Sequence, residues 1–103
     1  MRKIINKMVY DTKTAEFIAN YSYSNPRDFR YVDEDLYRTS NGNWFLAGQG
    51  GPLTDYRVKV DQSSWSGGEK ITPLEPQEAL EWLEKHEETS AIEEYFSDCL
   101  KEA

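Results

Sequence analysis

The period of the apolar residues changes once along this 103-residue chain, near Pro73. Before that point, short runs alternate apolar and polar side chains, as half-buried strands do. After it, apolar residues recur every three or four positions, as they do on one face of a helix. Strands followed by helices are typical of an α+β fold, and a chain of this length has room for one core. We predict one domain over residues 1–103, with a mainly β body at 1–72 and an acidic helical region at 73–103.

The clearest hairpin signal is the Asn41-Gly42 pair. It separates two strand-like runs, Leu36–Ser40 and Asn43–Ala47. An Asn-Gly pair accepts the positive φ angles of a type I′ turn at little energetic cost. A two-residue hairpin is therefore predicted here.

A second hairpin is predicted near the start of the chain. The runs Lys3–Tyr10 and Glu16–Tyr23 flank the polar stretch Asp11–Thr14, and the later run alternates with a period of two. Asn25-Pro26 ends that run because proline has no amide donor. The two hairpins together predict an antiparallel sheet of four or five strands.

The segment that follows the hairpins is expected to be mostly loop. Gly48–Pro52 is interpreted as a flexible connection, since it lacks the helix pattern and the Gly-Lys-Ser/Thr sequence of a phosphate-binding loop. Tyr56–Val60 alternates like a short edge strand. Ser63–Gly68 resembles a loop again, and Trp65 is expected to pack it onto the body.

Two amphipathic helices are predicted after Pro73, the first over Pro76–Glu87. Proline suits the first helical turn, where its missing amide costs no hydrogen bond. Glu81 and Lys85 have the spacing of an i,i+4 ion pair. The buried stripe is expected to contain Ala79, Leu80 and Leu83, with Trp82 at its margin.

Ser90 and Glu93 have the spacing of a capping box, so the second helix is predicted to begin near Ala91. Its apolar residues follow the spacing of one helical face, which leaves its acids outward. The buried stripe is expected to contain Ile92, Tyr95, Phe96, Cys99 and Leu100.

The negative charge is concentrated in this helical region. Residues 75–103 hold ten acids and two bases, whereas residues 1–74 hold nine acids and ten bases, and the whole chain carries −7. Such a chain is repelled by nucleic-acid phosphates and by anionic membranes. The expected partner is therefore a positively charged protein surface, with no direct nucleic-acid or membrane binding.

Catalytic and metal chemistry find little support in the sequence. His86 and Cys99 are the only residues of their types, which excludes an internal disulfide and a multi-cysteine zinc site. Asp33-Glu34-Asp35 is interpreted as a bulge or turn with solvated charges, with a hard-cation site as the alternative. We expect no enzyme, no cofactor and no metal site.

The location is expected to be the cytoplasm of a bacterial host cell. A single cysteine suits a reducing compartment. The apolar run after Met1-Arg2-Lys3 stops at Ile5, so no signal-peptide core is expected, and no stretch approaches transmembrane length.

The density of acids in the helical region allows nucleic-acid mimicry. At about 1.5 Å of rise per residue, ten acids over 29 positions place a charge every 4–5 Å or so, close to the roughly 3.4 Å phosphate rise of one strand. Such a surface can occupy a channel lined with Lys and Arg. The alternative is an ordinary solvated face that keeps the protein soluble.

An ordered series of short motifs runs along nearly the full length of the chain. The motifs are Lys3-Ile4-Ile5-Asn6, Leu36-Tyr37-Arg38-Thr39, Gly42-Asn43-Trp44-Phe45-Leu46, Gly50-Gly51-Pro52-Leu53 and Trp65-Ser66-Gly67-Gly68-Glu69-Lys70-Ile71. With them the chain resembles a family of small acidic proteins carried on plasmids and conjugative elements of Gram-positive bacteria. It departs from that pattern at Glu75, where the family has a serine or threonine helix cap.

The resemblance implies an anti-CRISPR-like role, because genes of this size and setting include inhibitors of CRISPR nucleases. We expect a non-enzymatic inhibitor of such a nuclease, most directly Cas9, with Tyr37 or Trp44 as further anchors. The alternative is an accessory or regulatory protein of a mobile element that binds another protein, with a homodimer through the sheet edge as one form. The expected partner-binding residues are Glu78, Glu81, Glu84, Glu88, Glu93, Glu94 and Asp98.

Overall fold

The computed structural model describes all residues from Met1 to Ala103. It contains eight strands, two α-helices and one 3-10 turn. These are β1 (Arg2–Ile5), β2 (Met8–Asp11), β3 (Glu16–Tyr23), β4 (Val32–Arg38), β5 (Trp44–Gly50), β6 (Val58–Lys59), β7 (Trp65–Ser66), β8 (Gly68–Leu74), α1 (Pro76–Lys85), α2 (Thr89–Tyr95) and the 3-10 turn Ser97–Cys99.

The central element is a four-stranded antiparallel sheet in the order β3-β4-β5-β8. Two further antiparallel pairs, β1 with β2 and β6 with β7, stand outside it. With the two C-terminal helices, this confirms the predicted α+β fold. None of the helices has the length and apolarity needed to cross a lipid bilayer.

The helices cover one face of the sheet because α1 and α2 each present an apolar stripe to it. The resulting core combines side chains from β3, β4 and β5 with side chains from both helices. Phe96 stacks on Trp44 with ring centres 5.2 Å apart. The buried members of this core are Ala19, Leu36, Trp44, Leu46, Ala79, Trp82, Leu83 and Phe96.

The β1–β2 hairpin covers part of the opposite face. Tyr10 packs edge-on against Phe45, with ring centres 5.4 Å apart, in a second core that also contains Ala47 and Ile71. The prediction that the run 3–10 pairs with 16–23 is therefore wrong. The turn lies inside the first run, at Asn6 and Lys7, whose φ angles are 51° and 67°.

A β-bulge in β3 decides which side chains reach the helical core. The register with β4 shifts between Phe17 and Ala19. Ala19 is buried under the helices, whereas Phe17 is 54% exposed and packs edge-on against Tyr37. The extra residue of the bulge changes the face of the sheet to which the preceding side chains point. The simple alternation of the sequence therefore holds only from Ala19 onward.

The hairpin around Gly42 is confirmed, but its turn differs from the prediction. The Gly42 amide donates to the Thr39 carbonyl at 2.9 Å, and the Thr39 amide donates to the Asn43 carbonyl at 2.7 Å. Within this turn only Gly42 has a positive φ, of 85°. The connection is a three-residue loop with glycine in the left-handed position rather than a two-residue type I′ turn.

The glycine-rich segment predicted as a flexible connection is largely strand. Gly48, Gln49 and Gly50 belong to β5 and pair with both β4 and β8. Val58 and Lys59 pair with β7 and not with the main sheet. Trp65 is 48% exposed, so it does not anchor its loop; the buried aromatic residue of this segment is Tyr56, at 7% exposure.

Helix α1 follows the prediction at its start and ends two residues earlier. Trp82 is buried rather than marginal, while Leu80 is only half-buried. The helix ends because Glu87 adopts a φ of 57°, the Glu87 amide donates to the Glu84 carbonyl and the Glu88 amide donates to the Leu83 carbonyl. This is a Schellman ending with glutamate in the position that usually holds glycine.

Helix α2 begins at Thr89, after Glu88, so the predicted Ser90–Glu93 capping box is wrong. The first backbone hydrogen bond of the helix is the one that the Ile92 amide donates to the Glu88 carbonyl. The helix also ends earlier than predicted, after Tyr95. Phe96 is buried beyond its end, but Cys99 and Leu100 are exposed, which corrects their assignment to the core.

Candidate partner-binding surface and cleft

Two features of the helical side of the molecule are candidate binding sites. The first is the acidic helical surface, defined by the seven acids expected to bind a partner. Six of them are exposed, and Glu88 alone is half-buried. The six exposed residues are Glu78, Glu81, Glu84, Glu93, Glu94 and Asp98.

No acid of the acidic helical surface forms an ion pair within the chain. The single ion pair of the chain joins Arg2 to Asp11, at 3.1 Å, on the distant hairpin. Glu81 does not pair with Lys85 as predicted; its Oε1 accepts a hydrogen bond from Gln77 Nε2 at 3.2 Å. The negative charges of this surface are thus free to interact with a basic partner.

Glu78, like Glu81, also has a local structural contact. Glu78 Oε1 accepts a hydrogen bond from the Glu75 amide at 2.8 Å, which satisfies an otherwise unpaired group at the start of α1. Glu75 occupies the N-cap position expected for a serine or threonine, and the Glu78 side chain pairs with its backbone amide. Glu84, Glu93, Glu94 and Asp98 are exposed and have no ion pair or side-chain hydrogen bond, so they are the acids most free to contact a partner.

The second feature is a cleft of about 490 Å³ between the C-terminal end of α1 and the loop that carries Tyr56. It crosses the helical face of the sheet from β3 to β8. Glu34 lies on its floor. The other lining residues are Tyr21, Tyr23, Val32, Leu46, Asp55, Tyr56, Lys70, Thr72, Trp82, Lys85 and His86.

Glu34 connects three elements that meet at this cleft. Its Oε2 accepts a 2.5 Å hydrogen bond from the Tyr56 hydroxyl, and its Oε1 accepts a 3.1 Å bond from Trp82 Nε1. β4 supplies the carboxylate, α1 the indole and the 51–57 loop the phenol. Burial, followed by the bond to Glu34, raises the pKa of Tyr56 well above its usual value, so the phenol stays protonated and donates.

The α1 side of the cleft is a wall of aromatic rings. His86 stacks on Tyr21 with ring centres 3.8 Å apart, and it meets Trp82 edge-on at 4.7 Å. Burial, with a smaller contribution from the nearby Lys85 charge, holds the pKa of His86 below 6.5. The imidazole is therefore mostly neutral at pH 7.

The Asp33-Glu34-Asp35 run is part of a regular strand and not a bulge or turn. Because strand side chains alternate between faces, Glu34 points to the helical face while Asp33 and Asp35 share the opposite one. Asn20 Nδ2 donates to Asp33 Oδ1 at 2.7 Å and to Asp35 Oδ1 at 2.8 Å. Glu69 lines the same open depression. No three His, Cys, Asp or Glu side chains are grouped to hold a metal ion.

The two aromatic anchors expected on the hairpin are not free. Trp44 is buried in the helical core, and Tyr37 is half-buried and stacks on Phe45 with centres 5.3 Å apart. The sequence pattern did not predict the Glu34 cleft. Once 32–38 is recognised as a strand, the alternation of its acids is the signal that separates Glu34 from its neighbours.

Comparisons of the chain with protein-family models, with curated proteins and with solved structures give no match.

Proposed function

We propose that this chain is a non-enzymatic inhibitor that binds the basic nucleic-acid channel of a bacterial CRISPR nuclease, with Cas9 as the first candidate. The observation that carries the proposal is the acidic helical surface: six of its seven acids are exposed, and none forms an ion pair within the chain. A channel lined with Lys and Arg is the complementary surface. The choice of a CRISPR nuclease comes from the resemblance to proteins of mobile elements.

The mechanism is competition for positive charge. Nucleic acid gains affinity when Lys and Arg neutralise its phosphates and counterions are released. An acidic protein surface that occupies the same side chains removes that gain, and electrostatic attraction speeds its encounter with the channel. Inhibition by this route requires no bond to be made or broken.

A cleavage assay tests the proposal. Guide-loaded Cas9 orthologues are mixed with increasing amounts of the purified chain before target DNA is added, and in a second series after it. The proposal expects dose-dependent loss of cleavage in the first series and weaker inhibition in the second. Unchanged cleavage by every orthologue would contradict it.

The second candidate is an accessory or regulatory protein of a mobile element that binds another protein through an apolar surface. The observation that favours it lies on the outer face of the β1–β2 hairpin, where Ile4 and Val9 are cross-strand neighbours and are 67% and 46% exposed. A homodimer through an edge strand, β3 or β8, belongs to the same class. Light scattering of wild type and of an Ile4→Lys/Val9→Lys variant checks self-association: a dimer that the variant abolishes supports this candidate.

A further inference from the structure

We infer that the Glu34 cleft binds the guanidinium group of an arginine side chain presented by a partner protein. The cleft is separate from the acidic helical surface, and none of the seven acids of that surface lines it. Its preference for guanidinium does not depend on the proposed function. Only the identity of the partner that presents the arginine rests on it.

The charge on the floor of the cleft favours a cation. Glu34 is half-buried and receives hydrogen bonds only from two neutral groups, the Tyr56 hydroxyl and the Trp82 indole. No Lys or Arg nitrogen lies within 4 Å of its carboxylate. A carboxylate can accept further hydrogen bonds, so each oxygen retains capacity for a guanidinium N–H.

The surroundings of Glu34 add to the negative potential. The C-terminal end of α1, where the helix dipole is negative, lies at the cleft because Lys85 and His86 line it. Asp55 adds a second carboxylate on the opposite wall. The imidazole of His86 is mostly neutral near pH 7 and so does not offset these charges.

Two lysines also line the cleft, and neither forms an ion pair with Glu34. Lys70 Nζ donates to the Asp55 backbone carbonyl at 3.3 Å and lies 5.4 Å from the centre of the Tyr56 ring. It is therefore turned toward the Tyr56 wall, where it already makes a cation–π contact. Lys85 is exposed on α1 and makes no ion pair. Its charge opposes a cationic ligand, and this opposition can be measured.

The shape of the walls favours arginine over lysine. Tyr21 and His86 are stacked on each other and Trp82 meets His86 edge-on, so this wall consists of planar rings whose outer faces and edges remain for a ligand. A planar guanidinium stacks on such rings while its N–H groups reach a carboxylate, and it is less strongly hydrated than an ammonium group. Tyr23 also lines the cleft and is 50% exposed, so its ring is accessible to an arriving side chain.

Nuclear magnetic resonance of the ¹⁵N-labelled full chain tests the inference with the Trp82 indole N–H as reporter. The probe is the blocked tripeptide acetyl-Gly-Arg-Gly-amide. Its matched control contains citrulline, which has nearly the same shape and no charge. We expect a saturable shift of the Trp82 resonance in the millimolar range with the arginine peptide, and binding at least about tenfold weaker with the citrulline and lysine peptides.

Three variants separate guanidinium binding from the binding of an anion and from contact with the aromatic wall alone. Lys85→Gln removes an opposing charge and is expected to tighten binding about threefold. Glu34→Gln is expected to weaken it at least fivefold or so, and Tyr23→Ala to weaken it about twofold. If the spectrum of the Glu34→Gln protein shows that it is not folded, the affinities of Lys85→Gln and Tyr23→Ala for the arginine peptide test the inference without it.

Four outcomes would overturn the inference. The first two are equal binding of the arginine and citrulline peptides and no shift of the Trp82 resonance. The third is weaker binding of the arginine peptide by the Lys85→Gln variant, as expected for a site that prefers anions. The fourth is much tighter binding of free L-arginine than of the arginine peptide. The last outcome would indicate a small metabolite rather than a side chain of a partner protein. Because no nuclease is present, failure here leaves the proposed inhibitor function untouched, and failure of the cleavage assay leaves this inference untouched.

Discussion

The phenol of Tyr56 occupies the space that a side chain on Gly48 would take. A Cβ on Gly48 would lie 2.0 Å from the Tyr56 oxygen and 2.3 Å from the ring carbon that carries it. Gly48 is also the direct neighbour of Glu34 in the β4–β5 ladder. The missing side chain thus lets Tyr56 reach across β5 to the carboxylate on the floor of the cleft.

Gly48→Ala is therefore expected to lower the free energy of unfolding by about 2 kcal/mol or more, because the buried Tyr56 ring has to move. Chemical denaturation measures the change. The neighbouring Gln49→Ala, at an exposed position of the same strand, is the control and is expected to change stability by less than about 0.5 kcal/mol. Equal stability of the Gly48→Ala protein would show that the ring relocates freely.

Glu34→Gln tests the link among β4, α1 and the 51–57 loop. The single amide oxygen can accept from Trp82, but the Tyr56 hydroxyl then has to turn and accept from the amide nitrogen, and both charge-assisted hydrogen bonds are lost. We expect a loss of about 1–3 kcal/mol in the free energy of unfolding. Glu69→Gln, an exposed change on the other face of the sheet, serves as the control. A neutral effect of Glu34→Gln would mean that the carboxylate does not hold these elements together.

The end of α1 can be improved by one substitution. Glu87 holds a φ of 57°, a left-handed conformation that glycine adopts without strain. Glu87→Gly is expected to raise the free energy of unfolding by about 0.5–1 kcal/mol. Glu87→Gln keeps the strain and removes the charge, so it isolates the backbone effect. A greater gain from Glu87→Gln than from Glu87→Gly would assign the effect to charge.

The lowered pKa of His86 leads us to expect that the free energy of unfolding falls in mild acid. Burial holds its pKa in the folded protein below the 6.5 of an unfolded chain, so the unfolded state binds the proton more readily. The contribution of His86 is complete above about pH 6.5 and is lost as the pH falls through the folded pKa. Denaturation between about pH 7.5 and about pH 5.5 should show a decline that His86→Gln reduces. An identical decline in the variant would assign it to other groups.

The sequence predicts this fold best where neighbouring residues decide the structure. Gly42 needs a left-handed position, Pro76 needs the first turn of a helix, and both are found where local chemistry places them. The α+β class follows from the change in apolar period. The acids of the helical region are outward because one face of each helix is needed for the core.

Prediction from the sequence fails where contacts between distant parts of the chain determine the structure. Gly48 resembles a turn residue, yet it lies in strand β5, where its missing side chain makes room for Tyr56. Cys99 continues an apolar stripe, yet α2 ends at Tyr95, Phe96 packs on Trp44 beyond that end, and Cys99 is exposed. The partners of Glu34 come from positions 56 and 82. No local pattern relates these positions, so the cleft emerges only from the folded chain.

The most direct test of the central claim is the affinity for guide-loaded Cas9 at low and at physiological salt. The test variant is Glu84→Lys/Glu94→Lys, which reverses two exposed acids without removing a hydrogen bond, and the control is Glu69→Lys/Glu102→Lys, with the same change in net charge. We expect the test variant to bind at least about tenfold more weakly, the control to bind within about threefold of wild type, and salt to weaken wild type more than the test variant. A folded test variant that binds and inhibits like wild type at both salt concentrations would contradict the claim.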